Sequence, residues 1–206
     1  MTQLSLILFI AELIGVVAFA VAGALKAIEC DMDVFGIMVL AVITALGGGI
    51  IRDLMINRFP VSLSTPVYFY AAIAGGIVTL LTIRVVHRYL LWLKIFDAMG
   101  LAVFSVLGAQ VGLARHFHLI AVVLLGLLTG IGGGILRDVL ANEVPLVCRQ
   151  EIYALASLLG ILVLWALPLA SMPPTGALIL AIILIFVIRL AAIHWNWHLP
   201  RIRHHR

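Results

Sequence analysis

Apolar residues run almost unbroken through seven stretches of the chain, about 5–28, 34–56, 66–87, 91–113, 118–140, 151–170 and 175–193. Turn-forming and polar residues separate them: Asp31 and Asp33, Pro60 to Pro66, Arg115 to His118, Pro145, and Pro173-Pro174. Each run is about 20 residues, the length a helix needs to cross a hydrocarbon core about 30 Å thick. A transmembrane barrel would alternate apolar and polar residues along each strand, and Ala121 to Leu128 show no such alternation. The pattern predicts an all-α polytopic membrane protein of seven transmembrane helices, with residues 1–206 forming a single transmembrane domain.

Composition narrows the alternatives. Of 206 residues, 65% are hydrophobic and 11% charged, and the mean hydropathy is +1.26. These values exclude a soluble globular domain, a disordered chain and a disulfide-stapled secreted module. The net charge of +4 is spread between apolar spans rather than gathered in a patch, so no nucleic-acid partner is expected. The first run lacks a basic leader and carries Glu12, which argues against a cleaved signal peptide. Lys26, Arg84, Arg88, Lys94, Arg149, Arg189, Arg201, Arg203 and Arg206 fall on the side of the C-terminus, against Arg58 and Arg115 on the other. That bias predicts an inner (plasma) membrane protein with the N-terminus outside and the C-terminus cytoplasmic. Cys30 and Cys148 then lie near the reducing face and are expected as free thiols.

Sliding the sequence by 85 residues aligns 11–76 with 96–161 without a gap. Glu12 meets Asp97, Gly15 meets Gly100, Phe19 meets Phe104, and Thr44 meets Thr129. Gly47-Gly48-Gly49-Ile50-Ile51-Arg52-Asp53 meets Gly132-Gly133-Gly134-Ile135-Leu136-Arg137-Asp138, and Asn57, Pro60 and Tyr68 meet Asn142, Pro145 and Tyr153. Each copy holds three spans, an odd number, so the second copy enters the membrane upside down. The expected layout is repeat one at about 5–87, repeat two at about 91–170, a seventh helix at about 175–193 and a basic cytoplasmic tail at 194–206.

Three consecutive glycines are poor helix formers, each costing about 1 kcal/mol against alanine. They suggest a bend or break in spans two and five, with unwound carbonyls able to coordinate a cation and a half-helix N-terminus offering a positive dipole end. Glu12, Arg52, Asp53, Asp97, Arg137 and Asp138 lie within the spans, where each costs roughly 3 kcal/mol and must pair or face water. Two charged tiers are expected, Glu12 with Arg52 and Asp53, and Asp97 with Arg137 and Asp138, flanking a glycine-lined waist. Structural pairing of the charges and close helix packing at the glycines are the competing explanation. Gly15, Gly23, Gly100 and Gly108 read as packing notches, and Phe19 and Phe104 as core or constriction. A leucine at Gly48 or Gly133 is expected to reduce flux while sparing assembly.

Trp195 and Trp197 with His194 and His198 read as an interfacial anchor rather than a metal site, and His204-His205 as part of a solvated basic tail. His116 and His118 read as loop residues. Gly47 to Gly49 lack the ending of a phosphate loop, so neither an enzyme activity nor a cofactor is expected.

Paired Gly-Gly-Gly-x-x-Arg-Asp motifs in a seven-span chain of this length resemble the prokaryotic trimeric intracellular cation channel family, which overlaps a bacterial inner-membrane group described as glycine transporters. The resemblance extends to Met32-Asp33-x-Phe35-Gly36, Asp97-Ala98-x-Gly100-Leu101, Glu151-Ile152-Tyr153 and Arg189-Leu190-Ala191-Ala192. It implies a homotrimer with an hourglass pore in every protomer, kinked at the glycines of spans two and five and passing potassium with some sodium. The Lys-Glu-Val lipid-binding motif of animal members is absent, so their regulation is not implied. The expected ion pathway comprises Gly47, Gly48, Gly49, Gly132, Gly133 and Gly134, Thr44 and Thr129, and the six intramembrane charges. The alternative is a carrier for glycine or a similar small amino acid, with Arg52 or Arg137 holding the carboxylate.

Overall fold

The structure, a computed structural model, describes residues 3–83, 89–149, 152–167 and 172–197. Arg84, Arg88, Arg201, Arg203 and Arg206, with Glu151, His198, His204 and His205, lie outside the described residues. The elements are all helical: α1 Gln3–Glu29, α2 Val34–Met55, α3 Val61–Ser64, α4 Pro66–Thr82, α5 Tyr89–Ala114, α6 Leu119–Leu140, α7 Leu146–Arg149, α8 Ile152–Ala166 and α9 Pro174–His194.

Five of these, α1, α2, α5, α6 and α9, are long and apolar enough to cross a membrane. Among the described residues, the helices of the third and sixth expected spans are shorter: α4 has 17 residues and α8 has 15. At 1.5 Å per residue they reach about 25 and 22 Å. The polar segments before them fold instead into the one-turn helices α3 and α7, which hydropathy did not predict.

Local chemistry at the hairpins repeats at the same 85-residue offset. Asp33 Oδ1 accepts the Gly36 amide at 2.7 Å to cap α2, and His118 Nδ1 accepts the Ala121 amide at 3.3 Å to cap α6. Asp31, Asn57, His116 and Asn142 take left-handed φ of 52–57° just past helix ends, where asparagine and aspartate are tolerated.

The centre of the bundle is α1 against α5. Ala18, Ala20, Ala22 and Ala24 on α1, and Ala98, Ala102 and Ala109 on α5, are fully buried, and such small residues let backbones approach without a hydrophobic drive. Gly100 receives the Phe19 ring and Gly15 the Phe104 ring, so the helices run antiparallel and the two rings stack with centroids 5.4 Å apart. Gly23 and Gly108 abut Thr44 and Thr129 of the following helices.

One expectation is corrected here. Both triple-glycine segments lie inside unbroken α-helix, so there is no unwound turn in α2 or α6. In lipid every backbone group needs a partner, and an intact helix supplies it. The glycines serve the contact between helices: a side chain on Gly48 would collide with the Thr129 carbonyl, and one on Gly133 with the Thr44 carbonyl. This crossing is self-complementary and antiparallel.

Candidate functional site

The six intramembrane charges assemble into two tiers. In the first, Arg52 Nε donates to Asp53 Oδ1 at 2.9 Å, and Arg52 Nη2 stands 4.0 Å from Glu12 Oε1. In the second, Arg137 Nε donates to Asp138 Oδ1 at 2.8 Å and Arg137 Nη1 to Asp97 Oδ1 at 2.6 Å. The second carboxylate oxygens of Asp53 and Asp138 accept the amides of Val61 and Leu146, at 2.9 and 2.8 Å, and so anchor α3 and α7. Each aspartate therefore ties a helix terminus to its neighbouring arginine, an arrangement that keeps a buried charge satisfied.

Four participants were not predicted as site residues. Tyr68 donates to Glu12 Oε2 at 2.7 Å and Tyr153 to Asp97 Oδ1 at 3.3 Å. The signal was present: each tyrosine follows its carboxylate by 56 residues in both repeats. Arg189, counted among the loop cations, is instead buried in α9, with its guanidinium 4.6 Å from the Tyr153 ring centroid. Lys26, also counted for orientation, is buried between Glu29 at 3.0 Å and Glu143 at 2.6 Å. The hydrogen bond from Lys26 holds the Glu143 carboxyl below its ordinary range.

Two cavities approach these tiers from opposite ends of α1. One, of about 160 Å³, is lined by Leu8, Glu12, Arg52, Arg58, Val61 and Gln110 among others. The other, of about 140 Å³, is lined by Lys26, Glu29, Lys94, Arg137, Asp138 and Glu143 among others. The 85-residue shift carries Arg52, Arg58 and Val61 of the first onto Arg137, Glu143 and Leu146 of the second. Deeper in the first tier, Glu12, Gly49, Arg52, Asp53, Ser62 and Tyr68 border a space of about 10 Å³, near the size of one water. The equivalent place beside Gly134, Asp138 and Tyr153 is closed.

The remaining candidates divide. Gly49 and Gly134 face the tiers, with Arg52 Nη2 at 4.0 Å and Tyr153 Oη at 3.1 Å from where a Cβ would stand. Gly47, Gly48, Gly132 and Gly133 lie between the two helices, at the crossing or against side chains of the opposite helix. Thr44 and Thr129 are fully buried and donate to the Leu40 and Leu125 carbonyls of their own helices, at 2.6 and 2.5 Å. They line none of the cavities described here, and each packs against a glycine of the preceding helix, Gly23 or Gly108. Cys30 and Cys148 are free thiols. No group of metal-ligating side chains occurs among the described residues, and His194 makes a ring contact with Trp195, which stacks on Trp197.

Comparison with known proteins follows the same duplication. The family model described as "Glycine transporter" matches residues 9–84 and again 94–168. The UPF0126 inner membrane protein YadS of Escherichia coli K12 is 38% identical over 192 residues, 92% of this chain and 93% of that protein. The TRIC trimeric intracellular cation channel orthologue from Rhodobacter sphaeroides superposes with a TM-score of 0.88 at 33% identity, covering 93% of this chain and 99% of that one. A prokaryotic TRIC channel crystallised in 0.5 M KCl gives 0.89 at 32% identity, covering 95% and 100%. These relatives are membrane proteins and channels rather than enzymes. The chain belongs to the UPF0126 membrane protein family, described by the glycine-transporter model and sharing its fold with the prokaryotic TRIC cation channels.

Proposed function

We propose that the protein is a passive channel for monovalent cations, potassium with some sodium, in the bacterial inner membrane. The observation that carries this is the pair of repeat-related cavities. They enter from opposite ends of α1 and reach Arg52 and Arg137, with the glycine crossing of α2 and α6 lying between the two arginines along those helices. Joining the two spaces takes a separation of α2 from α6 at their glycine crossing together with a shift of the stacked Phe19 and Phe104 rings, which are buried beside it. Both structural neighbours are TRIC channels, and the one from Rhodobacter sphaeroides is a trimeric intracellular cation channel orthologue. The reading extends to a homotrimer in the lipid bilayer, with one pore per protomer.

Seven crossings are part of the proposal: α1, α2, α4, α5, α6, α8 and α9, with repeat one at about 5–87, an inverted repeat two at about 91–170, and α9 outside both. Equal offsets in caps, ion pairs and cavities support it, as do the two separate matches of one family model. The short α4 and α8 are accommodated by α3 and α7 at their ends and by local thinning of the bilayer. The N-terminus lies outside and the C-terminus in the cytoplasm. Waist and tiers form the path: Gly47 to Gly49 and Gly132 to Gly134 with Glu12, Arg52, Asp53, Asp97, Arg137 and Asp138.

Purified protein in planar bilayers, with potassium and glycine supplied in turn, tests the reading. Ohmic unitary potassium currents indifferent to glycine are expected. Saturable glycine counterflow without steady conductance would replace the channel with a carrier.

A further inference from the structure

The two tiers are related by the repeat, yet they hold their carboxylates differently. We propose that Glu12 is the residue that favours cations over anions, while its counterpart Asp97 is committed to structure. The inference rests on the channel reading above and adds to it which of the two carboxylates does the selecting.

Asp97 is fully buried, and its Oδ1 takes both the Arg137 guanidinium at 2.6 Å and the Tyr153 hydroxyl at 3.3 Å. Arg189 of α9 then covers the Tyr153 ring, adding a second positive charge to that tier. Asp97, Asp138, Arg137 and Arg189 together sum to zero. The first tier has no such cover. Its tyrosine, Tyr68, donates to Glu12 and has the apolar Phe9 ring 6.0 Å from its own where Tyr153 has Arg189, and Arg52 is engaged by Asp53 at 2.9 Å. One methylene longer than Asp97, Glu12 reaches its tyrosine closely, at 2.7 Å, and leaves its arginine at 4.0 Å.

The carboxylates around the second cavity are all matched by nearby cations. Glu29, Asp138 and Glu143 each have a cationic nitrogen at 3.0 Å or less, as does Asp97 behind them. Glu12 has 22% of its side chain exposed and borders both the 160 Å³ cavity and the water-sized space beneath it. The other charged groups lining that cavity are Arg52, matched by Asp53, and Arg58, which is exposed and screened by solvent at the mouth. A carboxylate loosely matched in a narrow, partly dehydrated space attracts cations and repels anions more strongly than one already bonded to guanidinium.

Reversal potentials under a KCl gradient, measured on the reconstituted full chain, test this. Glu12→Gln keeps an acceptor for Tyr68 and removes the charge. It is expected to lower the potassium-to-chloride permeability ratio about a hundredfold, because one charge at roughly 6 Å through an effective dielectric of about 40 weights potassium about tenfold up and chloride about tenfold down. Glu12→Asp, which keeps the charge, should retain most of the ratio. A wild-type ratio in Glu12→Gln overturns the inference and leaves the channel intact, whereas absence of potassium current from the wild type overturns the channel reading itself. A second measurement needs no variant. Diluting salt on the Glu12 side alone should lower wild-type conductance less than diluting it on the Lys26 side, because the fixed charge retains local cations. Equal falls on both sides overturn the inference.

Discussion

Gly48 and Thr129 meet backbone to backbone: the α-carbon of one lies so close to the carbonyl oxygen of the other that no side chain fits between. The 85-residue counterpart, Gly133 against Thr44, makes the same contact in reverse, so α2 and α6 are joined through one doubled notch. Because the obstructing atom is a carbonyl of an intact helix, it cannot rotate aside as a side-chain end would. The waist is therefore set by helix packing, and any change in its width moves whole helices.

Gly48→Ala is expected to destabilise the folded protein by about 1–3 kcal/mol, the usual range for overpacking. Gly49→Ala, where an added Cβ finds only Arg52 Nη2 at 4.0 Å, should be neutral or stabilising by up to about 1 kcal/mol through helix propensity. Thermal unfolding in detergent separates the two. Equal melting temperatures would mean the crossing is looser than the geometry states. For the same reason a leucine at position 48 is expected to cost assembly as well as flux, contrary to what the sequence suggested.

Hydropathy places α1, α2, α5, α6 and α9 within two residues at each end because each is a full bilayer-length run between strong turn residues. The expected spans around α4 and α8 continue into 84–87, 151 and 168–170, which lie outside the described residues. The grouping of Glu12 with Arg52 and of Asp97 with Arg137 was legible because charges in lipid need partners and the repeat supplies equal spacings. What sequence does not carry is distance. Asp97 bonded at 2.6 Å and Glu12 held off at 4.0 Å share one place in the repeat and differ there by a single methylene. The intact glycine helices were also hidden, because propensity disfavours them and only the facing helix makes them favourable.

The unequal distances give unequal costs. Asp97→Asn leaves Arg137, fully buried, without its 2.6 Å carboxylate, and breaking a buried pair costs about 3–5 kcal/mol. Glu12→Gln loosens a partly exposed contact of 4.0 Å, worth about 1 kcal/mol or less. The recovered fraction of monodisperse protein after a temperature step should fall sharply for Asp97→Asn and little for Glu12→Gln. Equal losses would show that the repeat imposes the same role on both carboxylates.

Lys26 of α1 and Glu143, in the turn after α6, form a clasp of 2.6 Å at the rim of the second cavity. Repeat one has no equivalent, since Val111 and Arg58 stand at those positions. The bond from Lys26 holds the Glu143 carboxyl below its ordinary 4.5, so the folded state binds that proton less readily than the unfolded chain. The resulting stabilisation is full above the ordinary value and disappears as pH falls through the lowered one. Between neutral pH and about pH 3, the wild-type melting temperature should therefore fall further than that of Glu143→Gln, which has no proton to take up. Parallel curves for the two proteins would mean the clasp adds nothing to the fold. Lys26→Met should bring the Glu143 titration back towards 4.5 and flatten the difference in the same way.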